Sequence, residues 1–124
     1  MKTILLVDND HEVLNAMSRL IGELLRELKK ESIEILKTTS AVRALKISRS
    51  QLIDLLITDY RMPGDMNGLQ LICRLRERAE MRRVLMSFGA LGLHEELATQ
   101  KGVDEFIRKP IEENTLRTIL EKYV

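Results

Sequence analysis

The chain has no tryptophan, one cysteine, two prolines and only four phenylalanines and tyrosines among its 124 residues. Each scarcity excludes something. A lone cysteine, Cys73, cannot form a disulfide within the chain, which points to a reducing compartment and a cytoplasmic location. So few aromatics leave no platform for stacking single-stranded bases. Charge of one sign is not in excess either, with 20 Lys and Arg against 19 Asp and Glu. No bulk field therefore recruits nucleic acid or an anionic membrane. The basic clusters "RELKK" and "RLRERAEMRR" alternate with glutamate, as on solvated helix faces. No apolar run approaches the length of a membrane span. The opening "MKTILLVDND" halts at acids after a few apolar residues and has no small-residue cleavage site. No repeat, low-complexity tract or Pro/Gly-rich linker divides the sequence, so a single domain over residues 1–124 is expected.

What is present is aliphatic, with 44% of residues hydrophobic, and it is arranged in alternating short and long segments. "TILLV" (3–7), "IEILK" (33–37), "LLIT" (55–58), "VLMS" (84–87) and "DEFIR" (104–108) read as strands, most of them apolar enough to be buried on both faces. Helical patterns run from about Asp10 to Lys30, over 40–48 with Ser40 as N-cap, and from Leu69 to Arg78. Two more run from about Leu93 to Lys101, with Gly102 as the C-terminal cap, and from Glu112 to Tyr123. The first helix carries two adjacent apolar stripes, wider than one sheet contact needs, and contact with the last helix is the expected reason. The tally is (βα) five times. It predicts an α/β fold, a doubly wound five-stranded parallel sheet with helices on both faces and right-handed crossovers. Ligands of such sheets bind beyond the carboxyl ends of the strands, where the strand order reverses.

Those ends carry polar residues. Asp8, Asn9 and Asp10 follow the first strand, Asp59 the third, Ser87 the fourth, and Lys109 and Pro110 the fifth. Singly each has a plain explanation: Asp10 as a helix N-cap, Ser87 satisfying a loop amide, Lys109 as a solvated charge. Together they suggest phosphoryl transfer. A carboxylate can form an acyl phosphate, hard oxygen ligands can hold magnesium, and a hydroxyl and an ammonium can bind phosphoryl oxygens. No Gly-rich phosphate loop follows any strand, which disfavours nucleotide binding.

Through "LLVDND", "LLITDYRMP", "GLQLICRLR", "VLMS" and "DEFIRKP", and the spacing of Ser87 from Lys109, the chain resembles the response regulator receiver domains of two-component signalling systems over essentially its whole length. The resemblance implies a flavodoxin-like strand order 2-1-3-4-5. It makes Asp59 the phosphoacceptor, labelled by the phosphohistidine of a sensor histidine kinase or histidine phosphotransfer protein, or by a small donor. Asp8 and Asn9 correspond to the metal-binding acidic pair, and with Asp59 and the backbone carbonyl of Arg61 they would hold Mg2+ or Mn2+. Ser87 corresponds to the switch hydroxyl and Phe106 to the aromatic that turns inward with it. Lys109 binds a phosphoryl oxygen, on a Lys109–Pro110 peptide expected to be cis. Such a domain is not a turnover enzyme. It catalyses only its own phosphorylation and dephosphorylation. The output face would comprise the fourth helix, fifth strand and fifth helix, binding a downstream effector, with dimerisation open and no direct contact to nucleic acid or membrane.

Four departures stand out: Asn9 in place of an acid, one extra residue between Pro63 and Gly68 with Asn67 where Asp is usual, Phe88 where a small residue usually sits, and Arg61 beside the site. His11 and His94 lack metal-ligand spacing and read as surface residues. Cys73 reads as packing on the inner face of the third helix. "VDND" also resembles the opening of haloacid dehalogenase-type phosphohydrolases, in which Asp8 would be the nucleophile and Asp10 the acid–base. That reading leaves Asp59 unexplained. A phosphorylation-independent binding module on the same fold is a further alternative, and an electron-transfer flavodoxin a weaker one.

Overall fold

The computed structural model describes residues 1–89 and 101–124. Its elements in chain order are β1 (Lys2–Val7), α1 (His11–Glu27), β2 (Ile33–Thr38), α2 (Ala41–Ser50), β3 (Leu55–Asp59), α3 (Gly68–Arg74), β4 (Arg82–Ser87), β5 (Glu105–Arg108) and the C-terminal helix α4 (Glu113–Tyr123). The strands form one parallel sheet in the order β2-β1-β3-β4-β5, the expected doubly wound arrangement. The helix expected over Leu93 to Lys101, and His94 with it, lies almost wholly outside the described residues. Gly102, with φ of +108°, closes a turn that enters β5.

Alternation along each strand sorts the core into two layers. Ile4, Leu6, Leu55, Ile57, Val84 and Met86 face α1 and α4, while Leu5, Val7, Leu56 and Leu85 face α2 and α3. The wide apolar surface of α1 is used as expected. Leu14, Met17, Ile21, Leu24 and Leu25 are buried with Leu116, Ile119 and Leu120 of α4, and Val13, Leu20 and Leu28 pack at the margin. A Glu27–Arg117 ion pair of 2.8 Å joins the same two helices at the surface.

Two helices stop earlier than their patterns suggest. α1 ends at Glu27 because the chain turns left-handed at Lys29 (φ +55°), where the Lys29 amide donates to Arg26 O and the Lys30 amide to Leu25 O. This double closure normally uses glycine, which has no Cβ to crowd the left-handed backbone. Lys29→Gly is therefore expected to stabilise the fold by about 0.5–1 kcal/mol, the left-handed strain outweighing the extra freedom of the unfolded chain. Urea denaturation would measure it, and an unchanged or lower midpoint would show that Lys29 carries no strain.

α3 stops at Arg74 rather than Arg78, its last turn tightening as the Leu75 amide donates to Ile72 O and the Arg78 amide to Leu75 O, and a distant side chain braces the turns that follow. The buried guanidinium of Arg83 donates to Leu75 O and Arg78 O at 2.9 Å each, and to Gly102 O at 2.7 Å. The Arg83 amide in turn donates to the Asp104 carboxylate at 2.8 Å, which begins β4 two residues earlier than its apolar run. Cys73 also departs from expectation. α3 buries Gly68, Leu71 and Ile72, and Cys73, one residue beyond, is rotated onto the shoulder, half-buried, with its sulfur 3.0 Å from an Arg76 guanidinium nitrogen.

Candidate functional site

Parallel register aligns the strand ends. Val7 pairs with Thr58, Asp59 with Met86, and Ser87 with Arg108, so the residues just past each strand meet at one rim. There Asp8, Asn9, Asp59, Ser87, Phe88 and Lys109 line an open cleft of about 700 Å³, with Arg61 at its edge. At its base the Lys109 ammonium sits 2.7 Å from Asp8 Oδ2 and 3.2 Å from Asp59 Oδ2. Asp8 is fully buried and its Oδ1 accepts the Asp10 amide at 2.9 Å. Asp10 caps α1, as expected, accepting the amides of Glu12 and Val13. His11 begins α1 and is exposed.

Two carboxylates and one ammonium leave a formal charge of −1. Burial raises the Asp59 pKa above the ordinary carboxylate value. Lys109 pulls it down, Asp8 pushes it further up, and the Arg61 amide lowers it, with the net shift upward. Burial disfavours the charged form of Lys109, but its hydrogen bond to Asp8 and the charges of Asp59 and Asp8 outweigh that, and its pKa rises. Lys109 is thus a firmly charged ammonium between two acids. The Lys109–Pro110 peptide bond is cis.

The oxygen donors around the cleft suit a hard cation. Asp8, Asn9, Asp59 and Arg61 all line the cleft. Among the described residues no three His, Cys, Asp or Glu side chains converge. A set this sparse fits magnesium, which keeps several of its own waters.

The family model described as "Response regulator receiver domain" matches residues 4–121. The chain belongs to that family. It is 37% identical over 95% of its length to the putative two-component response regulator ARR21 of Arabidopsis thaliana, covering 18% of that protein. It is 30% identical over 96% of its length to the chemotaxis protein CheY-3 of Vibrio cholerae, covering 88% of it. The chain spans about half the length of another relative, the heme response regulator HssR of Staphylococcus aureus, at 51%. Among solved structures, a CheY-like receiver domain protein of Methanospirillum hungatei superposes with a TM-score of 0.83 at 21% identity, with 98% of this chain and 92% of that one covered. Chemotaxis protein CheY4 of Vibrio cholerae gives 0.81 at 18% identity, with 100% and 99% covered.

Within this receiver, Ser87 lies at the rim with its Oγ accepting the Gly89 amide at 3.3 Å. Phe106 does not line the cleft. It sits on β5 opposite Leu85, half-buried against the layer beneath α2 and α3. The longer loop ends in a reciprocal cap: Asn67 Oδ1 accepts the Gln70 amide and Gln70 Oε1 accepts the Asn67 amide, both at 2.8 Å. Two features escaped sequence reasoning. Gly68 packs directly beneath the site, its amide donating to Tyr60 O at 2.8 Å, and a Cβ there would overlap the Asp59 carbonyl oxygen and lie 3.1 Å from Thr58 Oγ1. The Phe88 ring sits over Lys109, with Nζ 5.0 Å from its centroid. A glycine opening a helix beside the end of β3 was the available signal for the first. The second had none beyond an aromatic next to Ser87.

No helix among the described residues is long and apolar enough to cross a membrane.

Proposed function

We propose that the chain, as one receiver domain over residues 1–124, accepts a phosphoryl group on Asp59 and relays it as a conformational signal. The observation that carries this is the bridging of Asp8 and Asp59 by Lys109 at the base of the cleft. Of the two carboxylates, Asp8 is fully buried with both oxygens engaged, whereas Asp59 retains some exposure and faces the cleft. Asp10, committed to capping α1, is a poor acid–base for a hydrolase built on Asp8.

In the reaction a carboxylate oxygen of Asp59 attacks phosphorus. The O–P bond forms as the P–N bond of a phosphohistidine breaks, and the departing imidazole nitrogen keeps the electron pair and takes a proton from solvent. Asp8, Asn9, Asp59 and the Arg61 carbonyl would hold magnesium, which when bound neutralises charge on the phosphoryl oxygens. Lys109, already charged and oriented, receives one phosphoryl oxygen, and the Ser87 hydroxyl turns from the Gly89 amide to donate to another. Movement of Ser87, with Phe106 following, alters the face around β5 and α4 that a downstream partner reads. A sensor histidine kinase or phosphotransfer protein would be the upstream partner.

Incubation with phosphoramidate and magnesium, followed by peptide mass spectrometry, tests the reading. The mass of one phosphoryl group is expected on the peptide holding Asp59 and absent from Asp59→Asn. Finding it on Asp8 would establish the hydrolase chemistry instead.

A further inference from the structure

Phe88 is 74% exposed, an unusual state for a phenylalanine, yet its ring is not idle. It lies over the Lys109 ammonium, 5.0 Å from centroid to Nζ, and lines the same cleft as Asp59. The neighbouring residues hold it there. The Ser87 carbonyl accepts the Lys109 amide at 3.0 Å, which ties the two strand ends together, and Ser87 Oγ accepts the Gly89 amide, which folds the chain at Phe88.

We propose that Phe88 is a displaceable cover on Lys109 that slows phosphoryl transfer to Asp59 and is released when Ser87 turns toward the phosphoryl group. The inference rests on the phosphoacceptor reading above. Lys109 has three protons to donate. Two carboxylates, Asp8 and Asp59, lie within 2.7 and 3.2 Å of the ammonium, so an incoming phosphoryl oxygen must share what remains of its surface with the Phe88 ring, 5.0 Å away. Ser87 Oγ accepts the Gly89 amide, so a swing of the side chain toward the phosphoryl group would break the contact that shapes the turn at Phe88. Hydroxyl and ring therefore leave together.

Three variants separate the effects: Phe88→Ala removes bulk and π-face, Phe88→Leu keeps bulk alone, and Phe88→Tyr keeps both. Labelling of Asp59 by phosphoramidate is expected to run about 2–5-fold faster in Phe88→Leu, the factor equivalent to an exposed cation–π contact of about 0.5–1 kcal/mol. Phe88→Ala should be faster still, and Phe88→Tyr close to wild type. A second readout is independent of turnover. The Lys109 ε-methylene protons should be shifted upfield by the ring in the free protein. The shift should vanish on adding beryllofluoride with magnesium, and in Phe88→Ala without it. Asp59 labelling that is unchanged across all variants, with no ring-current shift on Lys109, would overturn the cover. Absence of label on Asp59 in every variant, wild type included, would overturn the phosphoacceptor reading instead.

Discussion

Gly68→Ala is expected to lower the thermal unfolding midpoint by about 10 °C and to slow phosphorylation of Asp59 by about tenfold or more. On local grounds the substitution should help. Alanine at the first position of a helix gains up to ~1 kcal/mol over glycine in propensity and in lost unfolded-state freedom. The tertiary cost is larger. The new Cβ would overlap the Asp59 carbonyl oxygen and come within 2.9 Å of the Asp59 carbonyl carbon. Both are backbone atoms of a fully buried strand and cannot rotate away. Overpacking of this kind costs about 1–3 kcal/mol or more, and a loss of ~3 kcal/mol in a domain of this size is roughly 10 °C. The same displacement moves the reacting carboxylate, and misplacement by about 1 Å costs on the order of a hundredfold in rate. Calorimetry and phosphoramidate labelling measure the two effects. An alanine variant as stable and as reactive as wild type would show that α3 does not press on the end of β3.

The second large effect concerns the metal. Asp8 and Asp59 share one lysine, which leaves the rim at a formal −1, and Asn9 adds no charge. Asn9→Asp would take it to −2 on a residue that is exposed and borders the cleft. One unit charge in contact with another is worth ~1 kcal/mol in water and ~4 near a protein surface, and ~1.4 kcal/mol is tenfold in affinity. Magnesium is expected to bind unphosphorylated wild type weakly and Asn9→Asp at least about tenfold more tightly, by calorimetric titration. Arg61→Ala should tighten binding less, because Arg61 is exposed and its charge is screened. Asp10 is not a ready substitute for the missing acid, since its carboxylate is held by the first turn of α1. Equal affinity in wild type and Asn9→Asp would refute the electrostatic account.

Much of this was legible in the amino acids. Strands buried on both faces read as unbroken aliphatic runs, and once five of them alternate with helices, parallel topology carries their final residues to one rim. Asp8, Asp59, Ser87 and Lys109 could be placed together before any distance was known. Legibility failed where one side chain acts far from its own position in the chain. Arg83 sits in a cluster that reads as a solvated basic face, but 7% exposure and three carbonyl partners put it inside, where it braces the turns that follow α3. Cys73 failed for a narrower reason, since at roughly 100° per residue it falls a full step past Ile72, outside the arc that Leu71, Leu75, Gly68 and Ile72 bury. Phe88 read as a departure where a small residue is usual, and its ring lies over the Lys109 ammonium.

Arg83 also gives β4 a mechanical asymmetry. At its heel the strand is riveted: one guanidinium grips the turns before and after it, and the Asp104 side chain locks its amide. At its toe, four residues and about 13 Å further on, Ser87 is held, among the described residues, by neighbouring strand ends and a single 3.3 Å contact. A displacement of Ser87 is expected to bend this end of β4 toward β5, with which Ser87 pairs, rather than to slide the strand along the sheet.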